Sequence, residues 1–196
     1  MNVLTMRQHN GMRPQDLIVL FKMLSKIESL LPRSITMDSK GRLIPKRLIT
    51  SKEISGELKI SQAEVTHSMR RSQFAGLLIG DGRTVASRAL YEFLIYGVKY
   101  VFPVKPGHLT KGVPTAHSAP PLKAIIQANE QYVWPHEEGE MRGQAIEPLF
   151  RTVPEVATSD AQFYQLLTLT DALRVGRSRE VLLAREALKK LLSIKE

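Results

Sequence analysis

From Leu17 through Leu20, Phe21, Leu24, Ile27, Leu30 and Leu31, apolar residues recur at three- and four-residue spacing. Pro14 precedes the stripe, where a first helical turn tolerates proline, and Pro32 stops it. Two further helix starts follow, eleven residues apart, at Thr50 with Glu53 and at Ser61 with Glu64. Each reads as a capping box: the hydroxyl accepts an orphan amide of the first turn, and the glutamate three residues on reaches back to the cap. That spacing leaves room for two helical turns and a tight connection. Ile54 and Leu58 form the inner face of the first helix, Ile60 sits in the turn, and Val65 and Met69 face inward on the second. Gly76 suits the left-handed position after that helix. Leu77 to Ile79 then reads as a strand, Gly80 to Gly82 as a hairpin turn, and Arg83 to Val85 as the returning strand. Ser87 can cap a last helix whose buried stripe is Leu90, Phe93 and Leu94.

A short helix, a tight turn, a longer helix and a hairpin make a winged helix-turn-helix, here over residues 12–97. The expected fold class is mainly α with a small β-hairpin wing, followed by a loop-rich middle section and C-terminal helices. The middle section, 98–150, holds seven of the eleven prolines. Tyr100 to Phe102 reads as a strand there, and the stretch from Gly107 to Pro121 has the composition of a disordered segment. Tyr100, Phe102, Tyr132 and Trp134 are too large and apolar for a free linker, so an ordered platform is expected, serving a small-molecule effector or a protein partner. In the last section, 151–196, Phe163, Leu166, Leu167, Thr170 and Leu173 line one helix face. After Gly176, Ser178 can start a final helix carrying Val181, Leu182, Leu188, Leu191 and Leu192. That stripe reads either as core or as the seam of a homodimer, with Leu188, Leu191 and Leu192 the leading seam residues.

The run from Ile54 through Leu58, Lys59, Ile60, Ser61, Gln62, Ala63, Glu64 and Val65, then Ala75, Gly76, Leu77 and Leu78, resembles the winged helix-turn-helix of bacterial MarR- and ArsR-type regulators. The resemblance covers roughly a quarter of the chain, Thr50 to Gly97. It implies a prokaryotic transcription factor that binds operator DNA as a dimer. Lys59 stands where the family commonly has glycine in the turn. Ser72 stands where a leucine usually continues the stripe, leaving Phe74 and Ala75 to pack that end. The insert at 33–50 is longer than usual and reads as a loop or as a short extra strand and turn.

Charge sharpens the reading because it is uneven. The net charge is +9, and residues 40–88 alone hold ten basic and four acidic groups. A basic cluster on a helix-turn-helix is the electrostatic footprint of phosphate binding. With Val65 and Met69 inward, the second helix presents Gln62, Ala63, Thr66, His67 and Arg70 outward. Gln62 has the paired donor and acceptor that read adenine, and Arg70 the fork that reads guanine. Arg71 and Gln73 are expected at the flank, near phosphate. Arg83 and Arg88 are expected in the minor groove or on phosphate, and Lys52 beside the first helix start. Lys40, Arg42, Lys46 and Arg47 of the insert extend the basic footprint.

Other chemistries fit less well. His108, Thr110, Lys111, Thr115, His117 and Ser118 share one glycine- and proline-rich stretch, but no nucleophile elbow or phosphate loop is present. Two histidines without nearby carboxylates make a poor metal site, and with no cysteine there is no thiolate site or disulfide. No enzyme activity, cofactor or metal is expected. The N-terminus lacks a signal-peptide run, and no stretch approaches the ~20 apolar residues of a membrane span, so a cytoplasmic protein without membrane contact is expected. The leading expectation is a local repressor on double-stranded DNA. The alternative is a DNA-binding antitoxin or defence-system component that also binds a protein partner.

Overall fold

The first helix, α1 (Pro14–Ser29), begins on the expected proline, and the Asp16 carboxylate accepts the Arg13 amide at 2.8 Å. The computed structural model describes residues 11–29, 35–37, 43–45 and 49–194. The basic residues Lys40, Arg42, Lys46 and Arg47 lie outside the described residues, as do Leu30, Leu31 and the stop at Pro32. Leu17, Ile18, Val19, Leu20, Phe21 and Met23 are all buried, so α1 is a central element rather than a one-sided surface helix. The insert contains two short strands, β1 (Ile35–Met37) and β2 (Leu43–Pro45), paired antiparallel.

Helix α2 (Ser51–Leu58) carries the full capping box: Glu53 N–H donates to Thr50 Oγ1 at 3.2 Å, and Thr50 N–H to Glu53 Oε2 at 2.8 Å. It ends on Lys59 with φ 53° and ψ 42°, the left-handed conformation that glycine adopts without strain. For a lysine this costs about 1 kcal/mol. The C-terminal part of the chain braces the turn. Thr152 Oγ1 donates to the Leu58 carbonyl at 2.8 Å, and Lys59 Nζ pairs with Glu155.

Helix α3 (Gln62–Phe74) makes only half of its expected box. Ser61 Oγ accepts the Glu64 amide at 3.2 Å, but the Glu64 carboxylate turns to Arg71 at 2.7 Å and Gln15 at 3.1 Å. The helix closes as expected at Gly76, φ 75°, where Gly76 N–H donates to the Gln73 carbonyl and Leu77 N–H to that of Ser72. Ser68 and Ser72 form its buried face with Val65, and the small hydroxymethyl groups let α3 lie close on α1. Phe74 is 74% exposed and Ala75 is exposed too, so neither packs that end. Strands β3 (Leu78–Ile79) and β4 (Thr84–Val85) form the antiparallel hairpin.

From Ser87 the chain runs helically to Val101, as α4 (Ser87–Glu92), a π-helical turn (Phe93–Gly97) and α5 (Val98–Val101). Ala86, not Ser87, is the cap residue, and no side chain caps this start. The expected strand at Tyr100 to Phe102 is therefore overturned, and the division at 97/98 falls within a helical run. Val98 and Phe102 are both buried while Tyr100 midway between them is exposed, which a helix satisfies and a strand, whose residues i, i+2 and i+4 share one face, would not. Tyr100 is 79% exposed, contrary to the burial expected of it.

The middle section is ordered. Strands β5 (Leu109–Pro114), β6 (Tyr132–Pro135) and β7 (Met141–Ala145) close into a small barrel. β5 is antiparallel to both others, and β6 and β7 run parallel. So tight a closure needs bare backbone: a Cβ on Gly112 would lie 2.0 Å from the Trp134 carbonyl oxygen. Trp134 is buried, and its indole N–H donates to Asp171 Oδ2 at 2.6 Å.

Asp171 belongs to α7 (Ala161–Val175), which follows α6 (Val153–Val156). Helix α7 is enclosed on every side from Leu166 to Arg174. Asp171 also accepts from Thr115 at 2.8 Å and Arg174 at 2.6 Å, and Arg174 Nε donates to the Phe102 carbonyl at 2.8 Å. The final helix, α8 (Ser178–Leu191), begins after Arg177, and Ser178 is its first residue rather than its cap. Leu188 and Leu192, at 0% and 6% exposure, are buried where α8 packs on α7 within one chain, so neither is free to form a dimer seam. Leu191 is half-buried.

One hydrophobic core runs through all three sections. Lys22 of α1 ties the first section to the last electrostatically: it is 1% exposed, 2.9 Å from Asp160, 3.2 Å from Glu57 of α2, and 4.5 Å above the Phe163 ring. Asp160 in turn caps α7 by accepting the Phe163 amide. Among the described residues no helix is long and apolar enough to cross a membrane.

Candidate nucleic-acid interface

Helix α3 turns its exposed residues to one side. Gln62, Ala63, His67, Arg70, Gln73 and Phe74 are exposed and Thr66 is half-exposed. At 100° per residue these positions span about 140° of the helix, with Arg70 near the middle. Val65, Ser68 and Ser72 are buried opposite. Arg70 makes no hydrogen bond or ion pair to the described residues, and the same holds for His67 and for the exposed Lys52 on the first turn of α2.

Beside this face, α3, the start of α2 and the hairpin tip enclose a cleft of about 300 Å³. Thr66, Arg70 and Gln73 line it from the helix, Arg83 and Asp81 from the hairpin, and Ser51 from α2. The hairpin leans on α3: a Cβ on Gly82 would come within 3.0 Å of the Gln73 side chain. Gln62 Nε2 donates to Ser51 Oγ at 3.3 Å, linking the two helix starts, and Thr66 Oγ1 donates back to the Gln62 carbonyl at 2.9 Å. Three of the expected contact residues, Thr66, Arg70 and Arg83, thus share one cleft. Arg88 lies outside it, paired with Glu92 at 3.4 Å across an exposed helical turn.

Arg71 is not on this face. It is 9% exposed and points into the protein, where Nη2 and Nε lie 2.6 and 2.9 Å from the two oxygens of Asp16, itself fully buried. The phosphate role expected of Arg71 is corrected to a structural one, joining α3 to α1. Its position on the wheel, about 100° beyond Arg70, carries it past the edge of the exposed face. The signal that would have found it is Asp16, an acid in the first turn of α1, directly before the inward stripe.

The acids of this region are mostly drawn away from the face. Glu53 is held in the α2 cap, Glu57 pairs with Lys22 at 3.2 Å and Lys26 at 2.7 Å, and Glu64 pairs with Arg71. Burial pushes the Glu64 carboxyl up, but hydrogen bonds from Arg71 and Gln15 and the charges of Arg71 and Arg13 outweigh it and hold it below the usual range. Asp81 alone remains exposed beside the cleft, 4.0 Å from Arg83.

Comparison with family models, curated proteins and solved structures returned no match.

The hydroxyl and imidazole groups of 108–118 do not converge. Thr115 donates to Asp171, Ser118 Oγ accepts the Tyr132 amide at 2.8 Å, and His117 Nε2 lies 2.8 Å from the Glu130 carbonyl. His108 and Lys111 are exposed. Among the described residues no cluster of three histidines and carboxylates is placed to hold a metal ion.

Proposed function

We propose that this protein is a sequence-specific double-stranded DNA-binding transcriptional regulator, a local repressor working through a winged helix-turn-helix. The carrying observation is the α3 face: Gln62, His67 and Arg70 exposed, Arg83 on the adjoining hairpin, and the glutamates nearby engaged elsewhere. In this reading α3 enters the major groove. Gln62 and Arg70 read base edges, Ala63 and Thr66 offer apolar contact to a thymine methyl, and His67 reaches a base or phosphate. Lys52 and the first-turn amides of α2 hold the phosphate backbone, while Arg83 and Arg88 reach the flanking backbone or minor groove.

One such module reads few base pairs, so specificity in a genome calls for a homodimer on an inverted repeat. Its seam lies elsewhere than the buried Leu188 and Leu192.

The test separates base readout from charge. Arg70→Ala should cost about 1–3 kcal/mol of binding and relax specificity at one position, and Lys52→Ala should weaken all sequences evenly and lower the salt slope by about 1. Identical sequence profiles for the two variants would contradict the placement of α3.

A further inference from the structure

His117 is 3% exposed, yet its Nδ1 has no hydrogen-bond partner. The other ring nitrogen faces the Glu130 carbonyl at 2.8 Å. A carbonyl only accepts, so Nε2 carries a proton, and in the neutral ring Nδ1 presents a bare lone pair. Glu180 Oε2 stands 3.6 Å from Nδ1 and is a second acceptor, itself taking the Arg177 amide at 3.0 Å. Two acceptors therefore converge in a nearly buried spot, and what satisfies them both is a donor with more than one N–H.

The two groups line a cleft of about 410 Å³ with Tyr132, Glu130, Arg177 and Arg179. Its inner end is electronegative: burial, then the carboxylates of Glu180 and Glu130, raise the Tyr132 phenol, against a smaller opposing effect of Arg177. Its rim is positive. Arg177 is exposed and 3.6 Å from Glu130, and Arg179 is exposed with no partner among the described residues. The volume lies in the range of small-molecule sites.

We propose that this cleft binds a small zwitterion of the α-amino acid type. Its ammonium donates to His117 Nδ1 and the Glu180 carboxylate, and its acid group meets the guanidinium of Arg179 at the rim, with Arg177 beside it. The site stands on the cleft alone; only its regulatory consequence rests on the DNA-binding reading. The physical connection is short. Thr115, two residues before His117, is bonded to Asp171 of α7, and α7 is capped by Asp160, which holds Lys22 of α1.

The experiment is calorimetric titration of the full chain, without DNA, with the standard α-amino acids singly and with acetate and methylamine as half-ligands. At least one amino acid should bind, and each half-ligand about tenfold more weakly or worse. Arg179→Ala removes no hydrogen bond or ion pair to another described residue, and Glu180→Gln keeps a side chain able to reach the Arg177 amide. Both should melt like the parent and weaken the bound amino acid about tenfold or more. Binding of no amino acid, equal binding of a half-ligand, or unchanged affinity in both variants would overturn the proposal. Because no DNA is present, that failure is distinct from a failure of DNA binding, which is read by adding DNA in a separate titration.

Discussion

Replacing Arg71 with alanine tests whether this side chain belongs to the fold or to the proposed DNA surface. In the structure its guanidinium makes three hydrogen bonds to Asp16, at 2.6, 2.9 and 3.2 Å, and one to Glu64 at 2.7 Å. Asp16 is fully buried, so Arg71→Ala strands its carboxylate in the contact between α1 and α3. Breaking one side of such a buried pair costs about 3–5 kcal/mol. That is a large share of the ~5–15 kcal/mol that holds a domain together. Glu64, partly exposed, can turn to water and adds little. Asp16→Ala should cost less than Arg71→Ala on the charge account, because Glu64 still pairs the guanidinium, though it also forfeits the bond to the Arg13 amide. The double variant, leaving neither charge stranded, should be milder than the two single losses added, by about 1–3 kcal/mol. Urea unfolding followed by Trp134 fluorescence and far-ultraviolet circular dichroism supplies all four stabilities. Stability of Arg71→Ala within about 0.5 kcal/mol of the parent, combined with lost DNA affinity, would refute the reasoning.

Three other outcomes follow from the structure. Leu188→Ala should lower stability by about 2–5 kcal/mol and leave the oligomeric state unchanged by light scattering, since Leu188 is buried against α7; dissociation without destabilisation would restore it as a seam residue. Asp160 is raised by burial but held below the usual range by the stronger combined effect of Lys22, the Phe163 amide and Ser25, so it stabilises the fold above its ordinary value of 3.8. That contribution is lost as pH falls through its lower folded value, and the urea midpoint of Asp160→Asn should depend less steeply on pH below about 4 than that of the parent; an identical slope would count against the link. Trp134 should emit as a buried indole and resist iodide quenching, and emission typical of water-exposed tryptophan would contradict the ordered middle section.

Several local signals in the sequence match the structure, although Ser87 and Ser178 do not cap their helices and the Ser61 box is half made. The Thr50 and Glu53 box, the Ser61 cap, the left-handed Gly76 and the hairpin over Gly80 to Gly82 each depend on neighbours a few residues away, and each is present. Three readings that depend on distant partners differ from the structure. The chemistry of Arg71 suits phosphate, whereas its place is set by Asp16, 55 residues earlier. Tyr100 to Phe102 has strand-forming residues, but packing of Val98 and Phe102 against the core outweighs that preference. The terminal leucine stripe was compatible with core or seam, and only the enclosure of α7 shows that α8 spends Leu188 and Leu192 inside. The middle section gave the least to local reasoning, because β5 pairs with segments some twenty to thirty-five residues onward and its glycines have meaning only once the barrel has closed. His117 stood out only as one of several polar residues in that stretch; its unmatched nitrogen appears when Glu130 and Glu180 close around it.

The most direct test of the central claim is selection of bound duplexes from a random-sequence DNA pool by the full chain at physiological salt. The account predicts one enriched inverted repeat, with half-sites about 10 base pairs apart or a small multiple of that, and relaxed preference at one position of each half-site for Arg70→Ala. A pool that stays unenriched, or enrichment that Arg70→Ala leaves untouched, would contradict it.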